Sequence, residues 1–137
     1  MKLVTRDTDY ALRALAEIAS SESRLVSAAG LVEKVKIPHP FLRKILQILN
    51  KKGILKSTKG KSGGFSLAAE PKDIYLLRLM EIFQGKFKLN ECLFKRKLCP
   101  ERFVCPLRKK ISNIERYVIS ELKNVTLASL LRDKEKR

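Results

Sequence analysis

The sequence predicts a mainly α-helical chain with one small β-hairpin, and three observations lead there. Apolar residues recur at three- and four-residue spacing along most of the 137 positions. One glycine- and serine-rich stretch, Thr58-Lys59-Gly60-Lys61-Ser62-Gly63-Gly64, separates two short strand-like runs. A last long amphipathic run, Leu107 to Asn124, carries a single apolar seam.

The first helix runs from Thr8 to Ser20, with Tyr10, Ala11, Ala14, Leu15 and Ile18 on one side and Arg13 and Glu17 on the other. Ser21 to Arg24 reads as a loop. Ser27 then caps a short helix through Ala28, Ala29, Leu31, Val32 and Val35, which stops at a turn over Lys36 and Ile37. Pro38-His39-Pro40 can open a helix but not lie inside one, because proline fixes φ and lacks the donor that interior hydrogen bonds need. From there Phe41, Ile45, Ile48 and Leu49 repeat on one face until Gly53, while Arg43, Lys44, Gln47 and Lys51 hold the other. Two short helices about a tight turn, the second with a basic exposed face, describe a helix-turn-helix.

Ile54 to Ser57 and Phe65 to Ala68 are the strands of a basic β-wing, closed by the glycine and serine run between them. Helical spacing returns from Asp73 to Gln84 through Ile74, Leu77, Met80, Ile82 and Phe83, and Gly85 ends it. In the long run after Leu107 the stripe is Ile111, Ile114, Val118 and Leu122; such a seam at the end of a small domain needs a partner, so we expect a dimerisation helix. Thr126 can cap a last short helix through Leu127, Leu130 and Leu131, with Arg132 to Arg137 as a frayed tail. The expected organisation is a winged helix-turn-helix over 1–85, a cysteine-containing loop over 86–106, and a long carboxy-terminal dimerisation helix with its tail over 107–137.

Thirty Lys and Arg against fourteen Asp and Glu give a formal charge of +16, and 45% hydrophobic residues suffice for one core. A polyanion is the expected partner, double-stranded promoter DNA before a membrane surface. The opening Met1-Lys2-Leu3-Val4-Thr5-Arg6-Asp7 lacks an apolar stretch of signal-peptide length, and no run approaches the ~18 apolar residues of a membrane span, so a cytoplasmic protein is expected. A recognition helix presents its first turns to base edges, which makes His39, Arg43 and Lys44 the candidates for sequence reading. Arg43 can bridge two guanine acceptors or touch phosphate only, and His39 can instead serve the helix start. Lys56, Lys59 and Lys61 lie on the wing, where they either meet the DNA backbone and minor groove or stand as a solvated hairpin tip.

Cys92, Cys99 and Cys105 are the only cysteines, with six and five residues between them in a basic segment. Three thiols in a reducing compartment cannot all pair within the chain. Zinc sites more often use gaps of about two to four residues. Three thiolates on an iron–sulfur cluster leave one iron needing another ligand, and such a cluster is open to nitric oxide, oxygen or iron loss. An iron–sulfur cluster, a cluster-free thiol switch, zinc and simple burial all stay open. Catalysis is not expected, since the one histidine, His39, belongs to the proposed recognition helix.

In combination, several motifs are specific. They are Met1-Lys2-Leu3 with Thr8-Asp9-Tyr10-Ala11-Leu12-Arg13, the Ile37 to Leu49 helix, Lys52-Gly53-Ile54-Leu55, the wing Lys59-Gly60-Lys61-Ser62-Gly63-Gly64-Phe65, the three cysteines, and Asn124-Val125-Thr126-Leu127. The chain thereby resembles, over nearly its whole length, the Rrf2 family of bacterial winged-helix regulators. The resemblance implies a homodimer with crossing carboxy-terminal helices, a palindromic promoter site, and a four-iron or two-iron cluster on Cys92, Cys99 and Cys105. Nitric oxide, iron or redox state would be the signal, against the alternative of a thiol-based switch without iron. A third reading is a cluster carrier of cofactor assembly that binds nucleic acid non-specifically. Members that use a histidine ligand place it soon after the third cysteine, where this chain has Pro106-Leu107-Arg108. Other members use a first-helix aspartate, a role the resemblance carries onto Asp9, with Asp7 nearby; a carboxylate there also simply suits a helix N-terminus. Arg43 stands where the cluster-assembly regulator has a DNA-reading glutamate, which implies a different operator.

Overall fold

The computed structural model describes residues 2–89 and 105–136. Six α-helices and one two-stranded sheet occur among them: α1 Arg6–Ser20, α2 Ala28–Val35, α3 His39–Lys51, β1 Leu55–Thr58, β2 Gly64–Leu67, α4 Leu76–Gln84, α5 Pro106–Leu122 and α6 Leu127–Glu135. A 3₁₀ turn, Pro71–Asp73, precedes α4. This is a winged helix-turn-helix.

The core forms where α1 packs against α2, α3 and α4. Ala11, Ala14, Leu15 and Ile18 of α1 meet Leu31, Leu42, Ile45, Leu46 and Leu49, and Leu127 of α6 joins from the other end of the chain. Ser27 caps α2 by accepting from the Gly30 amide at 3.0 Å. Lys36 then takes the left-handed conformation that ends the helix, and Pro38 begins the next. Gly53, at φ +78°, closes α3.

The strands pair antiparallel from Leu55 with Leu67 to Thr58 with Gly64. A third segment docks on β2: Val26 and Phe65 exchange amide-to-carbonyl bonds of 2.9 and 2.8 Å. That close approach demands glycine at 64, because a Cβ there would stand 2.5 Å from the Val26 carbonyl oxygen.

Three details differ from the sequence-based expectation. The buried face of α3 is Leu42, Ile45, Leu46 and Leu49, so the helix is turned about its axis from the expected Phe41–Ile45–Ile48–Leu49 stripe; Ile48 is only half-buried and Phe41 is exposed. Helix α4 starts at Leu76 rather than Asp73, because the backbone before it is spent on the carboxy-terminal segment. The Leu76 amide donates to the Val125 carbonyl at 3.0 Å and the Leu127 amide to the Ile74 carbonyl at 2.9 Å. Arg132 to Glu135 are helical, in continuation of α6.

No residue of helix α5 is fully buried among the described residues. Leu107 is 67% exposed and Tyr117 65%, with Ile114 and Ile119 also open. No described helix is long and apolar enough to cross a membrane.

Candidate nucleic-acid interface and cysteine segment

The buried quartet of α3 fixes what its other side presents. His39, Arg43 and Gln47 lie one turn apart along the helix, beside Pro40 and Lys44, and all are exposed. His39 and Pro40 open the helix, so the polar end of the first turns faces solvent as a major-groove reader requires. The wing carries Lys56 on β1 and Lys59 and Lys61 in the turn, all exposed, and β1 packs on α3.

Charge is arranged asymmetrically. The salt bridges among the described residues are Arg6–Asp7, Arg13–Asp9, Lys34–Glu17 and Lys72–Glu70. None involves Arg43, Lys44, Lys56, Lys59 or Lys61. Helix α3 contains no acidic residue. Among the described residues these cations are thus in no ion pair, and they are available to a polyanion. In the 3₁₀ turn before α4, Lys72 next to Glu70 has its amine held above the usual lysine range, chiefly by their hydrogen bond and opposite charge.

The structure also brings Arg6 over Phe41, its guanidinium carbon 4.7 Å from the ring centroid. Sequence spacing alone gives Arg6 no role and places Phe41 on the core face. The signal that finds it is the spacing Leu42, Ile45, Leu46, Leu49, which leaves Phe41 on the flank.

Of the cysteine ligands predicted from sequence, Cys92 and Cys99 lie outside the described residues. Cys105 is half-buried at the N-cap of α5 and has no disulfide partner among the described residues. Asp9 sits in the first turn of α1, its Oδ2 paired with Arg13 Nε at 3.0 Å. Two hydrogen-bonded links tie the flanks of this segment to the fold. The Leu89 amide donates to Glu115 Oε1 at 2.7 Å, connecting the end of the first described stretch to α5. At the end of α4, Gln84 Oε1 accepts from the Thr5 amide at 3.1 Å and from the Thr8 hydroxyl at 2.8 Å, while its Nε2 donates to the Leu3 carbonyl at 3.0 Å. Thr8 is fully buried.

A helix-turn-helix with an exposed basic second helix, followed by a basic wing, defines a DNA-binding transcription regulator rather than an enzyme. The chain belongs to the Rrf2 family, whose model, described as an iron-dependent transcriptional regulator, matches residues 4–133. An HTH-type transcriptional regulator of Aquifex aeolicus (strain VF5) is 36% identical over 130 residues, 93% of this chain and 90% of that one. Two solved structures share the fold: CymR (YrzC), the global cysteine regulator of B. subtilis, and T. potens IscR. CymR has a TM-score of 0.79 at 21% identity, covering 96% of this chain and 98% of that chain. IscR has a TM-score of 0.75 at 24% identity, covering 99% and 90%.

Proposed function

We propose that the protein is a homodimeric, cytoplasmic regulator that reads a palindromic promoter site through α3 and the wing, and that it senses nitric oxide, iron or redox state through an iron–sulfur cluster. Residues 1–85 form the DNA-binding unit, 86–106 the cluster segment and 107–137 the dimerisation helix and tail. Arg43 reads base edges with His39 and Lys44 beside it, and Lys56, Lys59 and Lys61 hold the backbone. The open apolar side chains of α5, Leu107, Ile114, Tyr117 and Ile119, are the surface a second copy would cover.

The observation that carries the sensing half is the cysteine triad in a chain whose family is described as iron-dependent. Cys92, Cys99 and Cys105 would hold the cluster, with Asp9 as fourth ligand. Thiolates suit iron, and an anionic group at Cys105 stands at the positive end of the α5 dipole. Asp9 would ligate through Oδ1, or through Oδ2 after releasing Arg13. When bound, the cluster supplies a centre that responds to nitric oxide, oxygen or iron supply.

Anaerobic purification with iron and sulfide analysis tests this reading, combined with footprinting of wild type and of the Cys92→Ser, Cys99→Ser and Cys105→Ser variants. Iron and sulfide bound to wild type, lost in each variant, together with altered operator protection, supports it. A colourless wild type whose operator binding follows thiol oxidation would replace the cluster with the thiol switch. Protection without a defined site would remove the promoter-reading half.

A further inference from the structure

Phe41 is the one large apolar side chain of α3 left exposed, at 40%, and it stands in the first turn of that helix. A guanidinium covers it. Besides its 4.7 Å approach to Phe41, the Arg6 guanidinium carbon lies 6.0 Å from the Tyr10 ring centroid, so a second ring stands at the outer reach of the same cation–π attraction. Its nearest carboxylate is that of its neighbour Asp7, at 4.0 Å from Nε, the outer limit of an ion pair. Asp9, the other acid of this turn, is taken by Arg13 at 3.0 Å.

This contact has a chemical consequence. A guanidinium held over a ring by cation–π attraction keeps its N–H donors for other partners, and those donors form a fork that matches phosphate oxygens. The side chain also loses rotamer freedom before any ligand arrives, which lowers the entropy cost of binding. Arg6 is 60% exposed despite the ring contact, so its donors are reachable. Next to it, α3 presents His39, Arg43 and Lys44 and no acid.

We infer that Arg6, seated on Phe41, anchors a phosphate of the duplex at the edge of the reading helix, with Phe41 as its positioning residue. This rests on the reading of DNA by α3 proposed above. The ligand is the phosphodiester backbone, so the contact adds grip without base preference, and it joins the amino-terminal helix directly to the DNA-bound surface.

The test uses the full-length chain, an operator selected from random duplexes, and an unrelated duplex of equal length, each titrated across a salt series. Arg6→Gln should weaken both duplexes by about the same factor, on the order of tenfold, and should lower the slope of log affinity against log salt by about 0.9 for each copy that touches DNA. Arg6→Lys should keep the slope. Phe41→Leu should weaken binding several-fold in the wild-type background and change it by less than about twofold on top of Arg6→Gln, as expected when one residue acts only through the other. An unchanged salt slope in Arg6→Gln overturns the anchor. Equal losses from Phe41→Leu with and without Arg6 overturn the positioning role. Arg43→Ala, run in parallel, separates the two layers: a changed sequence preference there with an unchanged Arg6→Gln slope removes only the anchor, whereas an unaltered preference removes the α3 reading beneath it.

Discussion

Gln84 gives the sharpest test of how the amino terminus is held. Its amide group makes three hydrogen bonds, two accepted at Oε1 from the Thr5 amide and the Thr8 hydroxyl and one donated from Nε2 to the Leu3 carbonyl. These do not weigh equally. The Leu3 carbonyl belongs to an exposed residue and the Thr5 amide to a half-buried one, so water can replace the glutamine at both. Thr8 has no exposed surface, and apart from Gln84 its hydroxyl has only the Thr5 hydroxyl, at 3.2 Å. Leaving a buried donor short of its partner costs about 1–3 kcal/mol, while a solvent-replaceable bond contributes about 0.5–1.

Gln84→Met keeps the length of the side chain and removes all three bonds; we expect a loss of about 2–3 kcal/mol. Urea unfolding at one fixed protein concentration measures it, the fixed concentration being needed because association would add to apparent stability. Thermal unfolding should fall by roughly 3–5 °C per kcal/mol for a chain of this size. Gln84→Glu, which still accepts twice but cannot donate to Leu3, should lose less than Met. The decisive comparison is Thr8→Val. With the hydroxyl gone, Gln84→Met should cost only about 1 kcal/mol, a coupling of more than about 1 kcal/mol between the two positions. If Gln84→Met costs under about 0.5 kcal/mol, or costs the same with and without the Thr8 hydroxyl, the clamp is not what holds this end of α1.

Other outcomes follow from single contacts. Gly64→Ala places a Cβ 2.5 Å from the Val26 carbonyl oxygen and should cost about 1–3 kcal/mol in urea unfolding, with faster hydrogen exchange at the Val26 and Phe65 amides. Ile114→Glu puts a charge into the open stripe of α5 and should convert a dimer to a monomer by sedimentation equilibrium; a dimer of unchanged affinity would mean that copies meet elsewhere. Thr126→Ala removes the side-chain acceptor of the Ser129 amide, half of the reciprocal cap on α6, and should cost about 1 kcal/mol, read as an earlier urea midpoint.

Most elements were legible because their signals are local. Ser27, Pro38, Gly53, Gly85 and Thr126 mark helix ends through properties of their own side chains or φ preferences, and each stands at the end it marked. Where the decision belonged to the tertiary structure, the sequence was ambiguous. Helix α3 offers Phe41, Leu42, Ile45, Leu46, Ile48 and Leu49, enough apolar residues to serve two overlapping faces. Periodicity alone does not choose between them; packing of Leu42 and Leu46 into the core beneath α1 does. The extended link at Ile74 to Leu76 is similar. Its residues have helical spacing, yet their amide and carbonyl groups are claimed by Val125 and Leu127, about fifty positions away.

The same division explains which parts of the interface could be read. Unpaired cations on a helix face and a hairpin tip are visible as composition, since nothing nearby in sequence neutralises them. The Arg6–Phe41 pair is invisible that way: the two residues sit in different helices, and each looks ordinary in its own, one as a helix-start cation and the other as a core aromatic. Gln84 reads as the polar last residue of a helix, although its amide spans to Leu3, Thr5 and Thr8 at the far end of the unit. Both contacts converge on the first turn of α1. That turn therefore touches the start of the reading helix through Arg6 and the end of α4 through Thr8, while Asp9, the next residue, in its Arg13 pair, is the one proposed to reach the cluster. The Arg6 and Gln84 variants therefore perturb the two ends of one short turn, the first where it meets α3 and the second where it meets α4.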